Sequence, residues 1–258
     1  MPNDRPYRAT VFVDADNTLW DTDRVYADAQ RSMLTEVEAA TQRAYRGDDR
    51  LAFVREVDQA IAERHHSGLR YPPGLLAHAL ALKLAGESTS AAVRRVLRET
   101  GYGEALNAEI AKQIEDRFLS ALKAPPLLRA GVARALPILH RQGCLILVVT
   151  EGARDRVERT LDLYGLSTWV DRIVEAPKQT NLYQRVARLS RAPTPMFMVG
   201  DQLQRDIAPA KAAGLRTVYF PSGFRPRWEP AENSVTPDYR IDSFDEIPPL
   251  VAEVVPQL

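Results

Sequence analysis

The spacing of hydrophobic positions along the chain changes twice. A short aliphatic run at residues 10–13 predicts a buried strand, and over residues 23–124 apolar residues recur at the spacing of amphipathic helices. Turn and cap residues divide this stretch into helical segments at 24–45, 51–66, 73–86, 90–100 and 104–123. The stretch therefore predicts an all-helical unit, which ends at the proline-containing linker APP, residues 124–126.

Beyond the linker, helical segments alternate with short aliphatic strands. The predicted strands are CLILVVT at 144–150, DRIVEA at 171–176, MFMVGD at 196–201 and RTVYF at 216–220, followed by a short strand and a closing helix within 239–255. This alternation is typical of an α/β fold with a doubly wound parallel sheet. Because the strand at 10–13 belongs with these strands, we predict a core domain over 1–20 and 126–258 that carries an inserted all-helical domain over 21–125.

Composition and charge narrow the class of protein. Acidic and basic residues balance at 34 each, so the chain has no net positive charge to attract a nucleic acid polymer. No segment resembles a signal peptide or a membrane span, and we therefore expect a cytoplasmic protein with no membrane partner. The single cysteine, Cys144, excludes a disulfide within the chain. The sequence leaves the oligomeric state open.

Polar residues suited to phosphoryl chemistry follow the predicted strands. They are Asp14, Asp16, Thr150, Lys178, Asp201 and Asp206. Open parallel sheets place their sites beyond the carboxyl ends of the strands, so we expect these side chains to converge. In phosphoryl transfer one carboxylate attacks phosphorus, a second moves protons, and a hard cation such as Mg²⁺ neutralises charge. A lysine and a hydroxyl can then hold the phosphoryl oxygens.

Four segments that carry these residues resemble the four motifs of the haloacid dehalogenase (HAD) superfamily, in the same order and at the same strand ends. They are DADNTLW, VVTEG, APKQT and GDQLQRDI, and the resemblance covers about 1–20 and 126–250. The inserted helical domain resembles the α-helical type 1 cap of that superfamily. The resemblance implies a Rossmann-like core, Mg²⁺ as cofactor and a phosphorylated substrate.

The resemblance also implies roles for the acids at the first and fourth strand ends. Asp14 would be the nucleophile that forms a phospho-aspartyl intermediate. Asp16 would be the general acid for the leaving group and then the base for water. Asp14 and Asp201 would bind Mg²⁺ through their carboxylates, and the backbone carbonyl of Asp16 would complete the protein ligands.

The remaining motif residues would hold the phosphoryl group. Thr150 would hydrogen-bond a phosphoryl oxygen, and Lys178 would balance charge on the nucleophile and the phosphate. Asp206 would orient the lysine or a metal-bound water. Glu151 departs from the pattern, because the superfamily usually has a small or amide residue there. The extra negative charge leaves the class of substrate open.

We expect a Mg²⁺-dependent phosphatase. A helical domain that closes over the strand ends would exclude water and enclose the pocket, so we expect its substrate to be a small phosphorylated metabolite. A phosphomutase, a phosphonatase, a 2-haloacid dehalogenase and a non-catalytic binding module are the alternatives. A dehalogenase lacks the second acid that Asp16 supplies here. In the helical domain, the loop ERHHSGLRYPP suggests that Arg70 or Tyr71 contacts the leaving group.

Overall fold

The computed structural model of the protein describes residues 7–98, 105–225, 227, 229 and 235–255. The chain divides into two compact units. One is formed by Met1–Asp23 and Pro126–Leu258, and the other by Arg24–Pro125. The sequence prediction had divided the chain after residues 20 and 125.

The described residues of the second unit form helices and loops without a strand. The helices are α1 (Thr22–Thr41), α2 (Arg50–Ala62), α3 (Pro73–Leu84), α4 (Thr89–Arg98) and α5 (Ala108–Ala121), with a 3₁₀ turn at Gly68–Arg70. Residues 75–82 of α3 are buried without a break, as expected of a helix that is apolar on every side. Apolar side chains from all five helices, including α3, pack together in one core.

The first unit is built on a six-stranded parallel sheet. Its strands are β1 (Ala9–Val13), β2 (Cys144–Thr150), β3 (Arg172–Glu175), β4 (Met196–Gly200), β5 (Arg216–Tyr219) and β6 (Tyr239–Arg240). Their order across the sheet is β3-β2-β1-β4-β5-β6. In the centre, Val11 of β1 stands opposite Ile146 of β2 and Phe197 of β4. The predicted parallel sheet is confirmed.

Both faces of this sheet are covered by helices. Along β1, Val11 and Val13 point into one core and Phe12 into another. Residues of α6 (Val132–Arg141), α7 (Arg154–Leu163) and α10 (Ile247–Val254) pack in the first core, and residues of α8 (Thr180–Ser190) and α9 (Ala208–Ala212) in the second. Burial on both faces explains why the central strands are mostly aliphatic, with Thr10 as a polar residue inside β1. The predicted doubly wound arrangement is therefore confirmed.

The parallel direction of the strands brings their carboxyl ends to one edge of the sheet. β1 ends at Val13, β2 at Thr150 and β4 at Gly200, so the residues that follow can meet there. None of the helices in the described ranges is long and apolar enough to cross a bilayer.

Candidate active site

A lysine lies between two buried aspartates at the carboxyl ends of the strands. Lys178 Nζ donates a hydrogen bond to Asp206 Oδ1 at 2.6 Å and another to Asp14 Oδ1. The three side chains are at most 7% exposed. Burial alone would lower the pKa of Lys178, but the two carboxylates raise it above its ordinary value. The ammonium group therefore stays charged and acts as a donor.

A third acid completes a group of carboxylates that could hold a metal ion. Asp14, Asp201 and Asp206 each bring one oxygen to within 4.8 Å of the others. Asp201 is buried, and its Oδ1 has no hydrogen-bond partner in the described part of the chain. Hard cations such as Mg²⁺ prefer oxygen ligands of this kind, so the donor set fits Mg²⁺. The predicted use of the Asp16 backbone carbonyl as a further ligand stays a prediction.

Crowding and burial change the proton affinity of these acids. Burial raises the pKa of Asp14 to about 7, with Asp206 and Asp16 adding to the rise and Lys178 opposing it. Burial also raises the pKa of Asp201 well above its ordinary value, and the charges of Asp14 and Asp206 reinforce that effect. A divalent cation among these carboxylates would favour their ionised forms.

Asp16 lies at the same strand end, half-buried, and one of its oxygens is held by several donors. The donors to Oδ1 are Trp20 Nε1 at 3.2 Å, Thr22 Oγ1 at 2.7 Å and Arg156 Nη2. The other oxygen, Oδ2, lies 3.3 Å from the point where a Cβ on Gly152 would stand. Thr150 Oγ1 lies at the same distance from that point. The second oxygen of Asp16 and the Thr150 hydroxyl therefore flank the same turn.

The unexpected acid of the second motif faces two neighbouring loops. Glu151 Oε1 accepts a hydrogen bond from the backbone N–H of Lys178 at 3.1 Å, and Oε2 lies 3.3 Å from Arg205 Nη1. Its negative charge is thus partly balanced by an arginine of the core unit.

Sequence reasoning missed Arg129, which joins the loops after β1 and β5. Its guanidinium donates hydrogen bonds to three backbone carbonyls, those of Asn17 at 2.6 Å, Phe220 at 3.0 Å and Pro221 at 2.8 Å. Burial lowers the pKa of Arg129, while the negative charge of Asp201 opposes that shift. No motif marks this arginine, because its acceptors are backbone carbonyls, which every residue carries whatever its side chain. Trp20, Thr22 and Arg156 were likewise not predicted as partners of Asp16.

In the helical unit, Tyr71 is buried instead of lying in an exposed loop. Its hydroxyl donates a hydrogen bond to Asp58 Oδ1, and Asp58 Oδ2 accepts another from Gln30 Nε2 at 3.1 Å. Burial raises the pKa of both Tyr71 and Asp58. A hydrogen bond donated by Tyr71 to a leaving group would require its hydroxyl to leave Asp58. A contact through the exposed Arg70 stays a prediction.

Comparison with known proteins agrees with this geometry. Residues 9–214 match the model of the haloacid dehalogenase-like hydrolases. The chain is similar to ribulose-1,5-bisphosphate 5-phosphatase of Halopiger xanaduensis, with 31% identity over 153 residues that make up 55% of this chain and 64% of that protein. The similarity to this curated relative therefore spans less than two thirds of the relative's length.

Solved structures with low sequence identity share the fold. A haloacid dehalogenase-like hydrolase from Xanthomonas campestris superposes with a TM-score of 0.62 at 18% identity, and the match covers 97% of both chains. The HAD-hydrolase YfnB from Bacillus subtilis, solved bound to magnesium, gives a TM-score of 0.59 at 20% identity over 96% of this chain and 99% of that one.

Proposed function

The chain belongs to the haloacid dehalogenase-like hydrolase family, and from that membership we propose that it is a Mg²⁺-dependent phosphatase. It hydrolyses a small phosphorylated metabolite through a phospho-aspartyl intermediate. The observation that carries this proposal is the buried cluster in which Lys178 joins Asp14 to Asp206, while one carboxylate oxygen of Asp201 has no hydrogen-bond partner among the described residues. The phosphatase name of the Halopiger relative and the magnesium in the Bacillus structure add support.

Asp14 is the nucleophile in this proposal. Its carboxylate oxygen bonds to phosphorus as the ester bond to the leaving oxygen breaks, and the bonding electrons pass to that oxygen. Lys178 restrains the carboxylate by holding its Oδ1, and it carries positive charge next to the phosphoryl group. Asp14, Asp201 and the backbone carbonyl of Asp16 would hold Mg²⁺, which when bound would supply positive charge to stabilise the phosphoryl oxygens.

Asp16 moves the proton in both halves of the reaction. It gives a proton to the leaving oxygen, and it then takes one from the water that attacks phosphorus. That attack breaks the bond between phosphorus and Asp14 and releases inorganic phosphate. The proximity of Asp16 Oδ2 to the Thr150 hydroxyl supports this role, because Thr150 would hold a phosphoryl oxygen near the transferred proton.

Hydrolysis of an aryl phosphate by the purified protein tests the proposal. We expect turnover with Mg²⁺ and none with EDTA. Asp14→Asn should lower kcat by at least about a thousandfold, since the amide cannot attack phosphorus. The control is Asp116→Asn, which changes an exposed acid of α5 and should leave kcat unchanged.

The intermediate has its own measurement. Mass spectrometry after acid quenching should find one phosphoryl group on the peptide that contains Asp14, accumulating in Asp16→Asn because hydrolysis loses its base. Full turnover in EDTA, or in Asp14→Asn, would contradict the proposed chemistry.

A further inference from the structure

Lys178 is delivered by the edge strand of the sheet. Among the strands of the described residues, β3 pairs with β2 alone, and its four residues are exposed or half-buried. Residues 176–179, between β3 and α8, form neither helix nor strand. Lys178 Nζ nevertheless bonds two carboxylates at once. The main chain of Lys178 therefore needs support from outside the strand that delivers it.

Glu151 provides a support from the end of the neighbouring strand. The backbone ladder between β2 and β3 continues to the bond from the Ala176 N–H to the Thr150 carbonyl, at 3.0 Å. Two residues further on, the N–H of Lys178 bonds to the Glu151 side chain instead of to a backbone carbonyl. Beyond the last backbone hydrogen bond of the ladder, the Glu151 carboxylate is thus the acceptor for the N–H of Lys178, whose side chain enters the acid cluster.

The second oxygen of Glu151 reaches the turn that carries Asp206. It lies 3.3 Å from Nη1 of Arg205, the residue next to Asp206 in the chain. Asp206 is itself held in this turn, since its N–H donates to the Gln202 carbonyl and its Oδ2 accepts from the Gln202 N–H, both at 2.9 Å. Glu151 therefore contacts the main chain of Lys178 with one oxygen and the neighbour of Asp206 with the other.

We propose that Glu151 is a positioning residue for Lys178. Its carboxylate anchors the Lys178 backbone, and Arg205 orients the carboxylate. The inference rests on the proposed function, because a change in rate requires Lys178 to act in the reaction. Displacing a charged group from the reacting atoms slows the chemical step more than it weakens binding, so the effect belongs in kcat.

An ion pair without this role would behave differently. The side chains of Glu151 and Arg205 are 31% and 56% exposed, and pairs in such positions contribute little to stability. A matched control exists on α7, where Glu158 pairs with Arg154 at 2.7 Å and both side chains are also partly exposed. Removing Glu158 deletes an ion pair of similar exposure without touching the Lys178 loop.

Steady-state kinetics with an aryl phosphate compares three variants. Glu151→Ala removes the acceptor and should lower kcat about tenfold or more with KM within about twofold of the wild type. Glu151→Gln keeps an oxygen that can accept from the Lys178 N–H, so its kcat should stay within about threefold. Glu158→Ala should leave kcat and KM unchanged.

Hydrogen exchange gives a readout that does not depend on turnover. Without its acceptor, the Lys178 amide should exchange faster, which mass spectrometry detects in the peptide that contains Lys178. We expect faster exchange there in Glu151→Ala, and exchange close to wild type in Glu151→Gln and in Glu158→Ala.

The outcomes separate this inference from the proposed function. An unchanged kcat in Glu151→Ala overturns the inference. An equal loss in Glu151→Ala and Glu151→Gln also overturns it, because the loss would then follow the charge and not the acceptor. If the wild type hydrolyses no phosphate monoester, the proposed function fails. The anchoring of Lys178 is then judged by exchange, and unchanged exchange in Glu151→Ala overturns it.

Discussion

Among Asp14, Asp201 and Asp206, Lys178 Nζ hydrogen-bonds to the carboxylates of Asp14 and Asp206, and it is the one lysine that does so in the described residues. One positive charge leaves the group with an excess of negative charge when all three acids are ionised. Buried charges of one sign are unfavourable unless protons or cations compensate for them. Burial, reinforced by this excess of negative charge, raises the pKa of Asp14 and Asp201, and a divalent cation would relieve the same excess.

Asp16 is held in a different manner from these acids. Three donors bind its Oδ1, and its Oδ2 faces the turn that also carries the Thr150 hydroxyl. Rotation of the carboxylate would break all three bonds together. One oxygen thus fixes the orientation, which leaves the other to exchange a proton with the leaving group in the proposed reaction.

Arg156→Gln tests this division between the two oxygens of Asp16. Loss of the charged donor should loosen the carboxylate and lower kcat by roughly three- to tenfold, with little change in KM. The loss should be greater for an alkyl phosphate than for p-nitrophenyl phosphate, because nitrophenolate leaves without a proton. Steady-state kinetics with both substrates measures this difference.

Arg154→Gln is the matched control for that variant. Arg154 stands on the same helix and pairs with Glu158 at the surface, so the change in charge is the same. The positioning of Asp16 by Arg156 would be contradicted if Arg156→Gln lowered kcat by the same factor for the alkyl and the aryl substrate. It would also be contradicted if Arg154→Gln lowered kcat as much as Arg156→Gln does.

Among the elements, the exit from β4 decides where Asp206 stands. The chain leaves β4 at Gly200 and makes a π-helical turn over Leu203–Ile207 before α9 begins. A Cβ on Gly200 would stand 2.3 Å from the Cβ of Asp206, which is far closer than carbon atoms approach without a bond. Glycine is thus required for the turn to fold back against the strand end.

Gly200→Ala should therefore force Asp206 away from Lys178. We expect a loss of about 1–3 kcal/mol in the free energy of unfolding, as overpacking of buried sites produces, together with a large fall in kcat. Urea unfolding and steady-state kinetics measure the two effects. In the control Gly223→Ala, the added methyl group meets open space. Similar unfolding free energies for the two variants would show that the close approach to Asp206 is relieved without cost.

The order of elements could be predicted from hydrophobic spacing, but several boundaries could not. The first predicted helix extended to residue 45, whereas α1 ends at Thr41 because Gln42 takes a left-handed conformation with φ of 55°. A helical segment was expected between the predicted strands at 196–201 and 216–220, and the structure has there a π-helical turn followed by the short helix α9. These differences arise from single backbone conformations, to which hydrophobic periodicity is insensitive.

Some features of the candidate site could likewise be predicted from the sequence, and others could not. The motif acids and Lys178 could be selected because they follow strands, and parallel strands end at one edge. The Arg156 contact with Asp16 joins residues 140 positions apart, and nothing in the local sequence indicates it. The destination of Glu151 was equally hidden, since a carboxylate on an exposed loop has many possible partners.

Across the whole molecule, each unit buries its own apolar core, and in the first unit the acids at the strand ends are buried as well. An acid whose pKa is higher in the folded than in the unfolded state stabilises the fold only while it is protonated. For Asp14 the two limits are the ordinary value of 3.8 and about 7. Its contribution is present below the lower limit and is lost as the pH rises through the upper one.

Metal-free protein should therefore lose stability between about pH 4 and pH 7, by an amount on the order of a few kcal/mol from this cluster. Asp201→Asn removes one of the buried charges, so in EDTA at pH 7 it should unfold at a higher temperature than the wild type. The difference should shrink towards pH 4, where the acids of the cluster become protonated.

Mg²⁺ should reverse that order. It should raise the Tm of the wild type, because binding to the folded state alone stabilises it, and it should raise the Tm of Asp201→Asn much less. Thermal unfolding at two pH values, with EDTA and with Mg²⁺, measures all of these effects. Asp116→Asn, which changes an exposed acid, should respond as the wild type does.

Equal Mg²⁺-induced shifts in wild type and Asp201→Asn would contradict a cation site at this cluster. A lower Tm for Asp201→Asn in EDTA at pH 7 would mean that its carboxylate stabilises the metal-free fold, against the charge argument made for the strand ends.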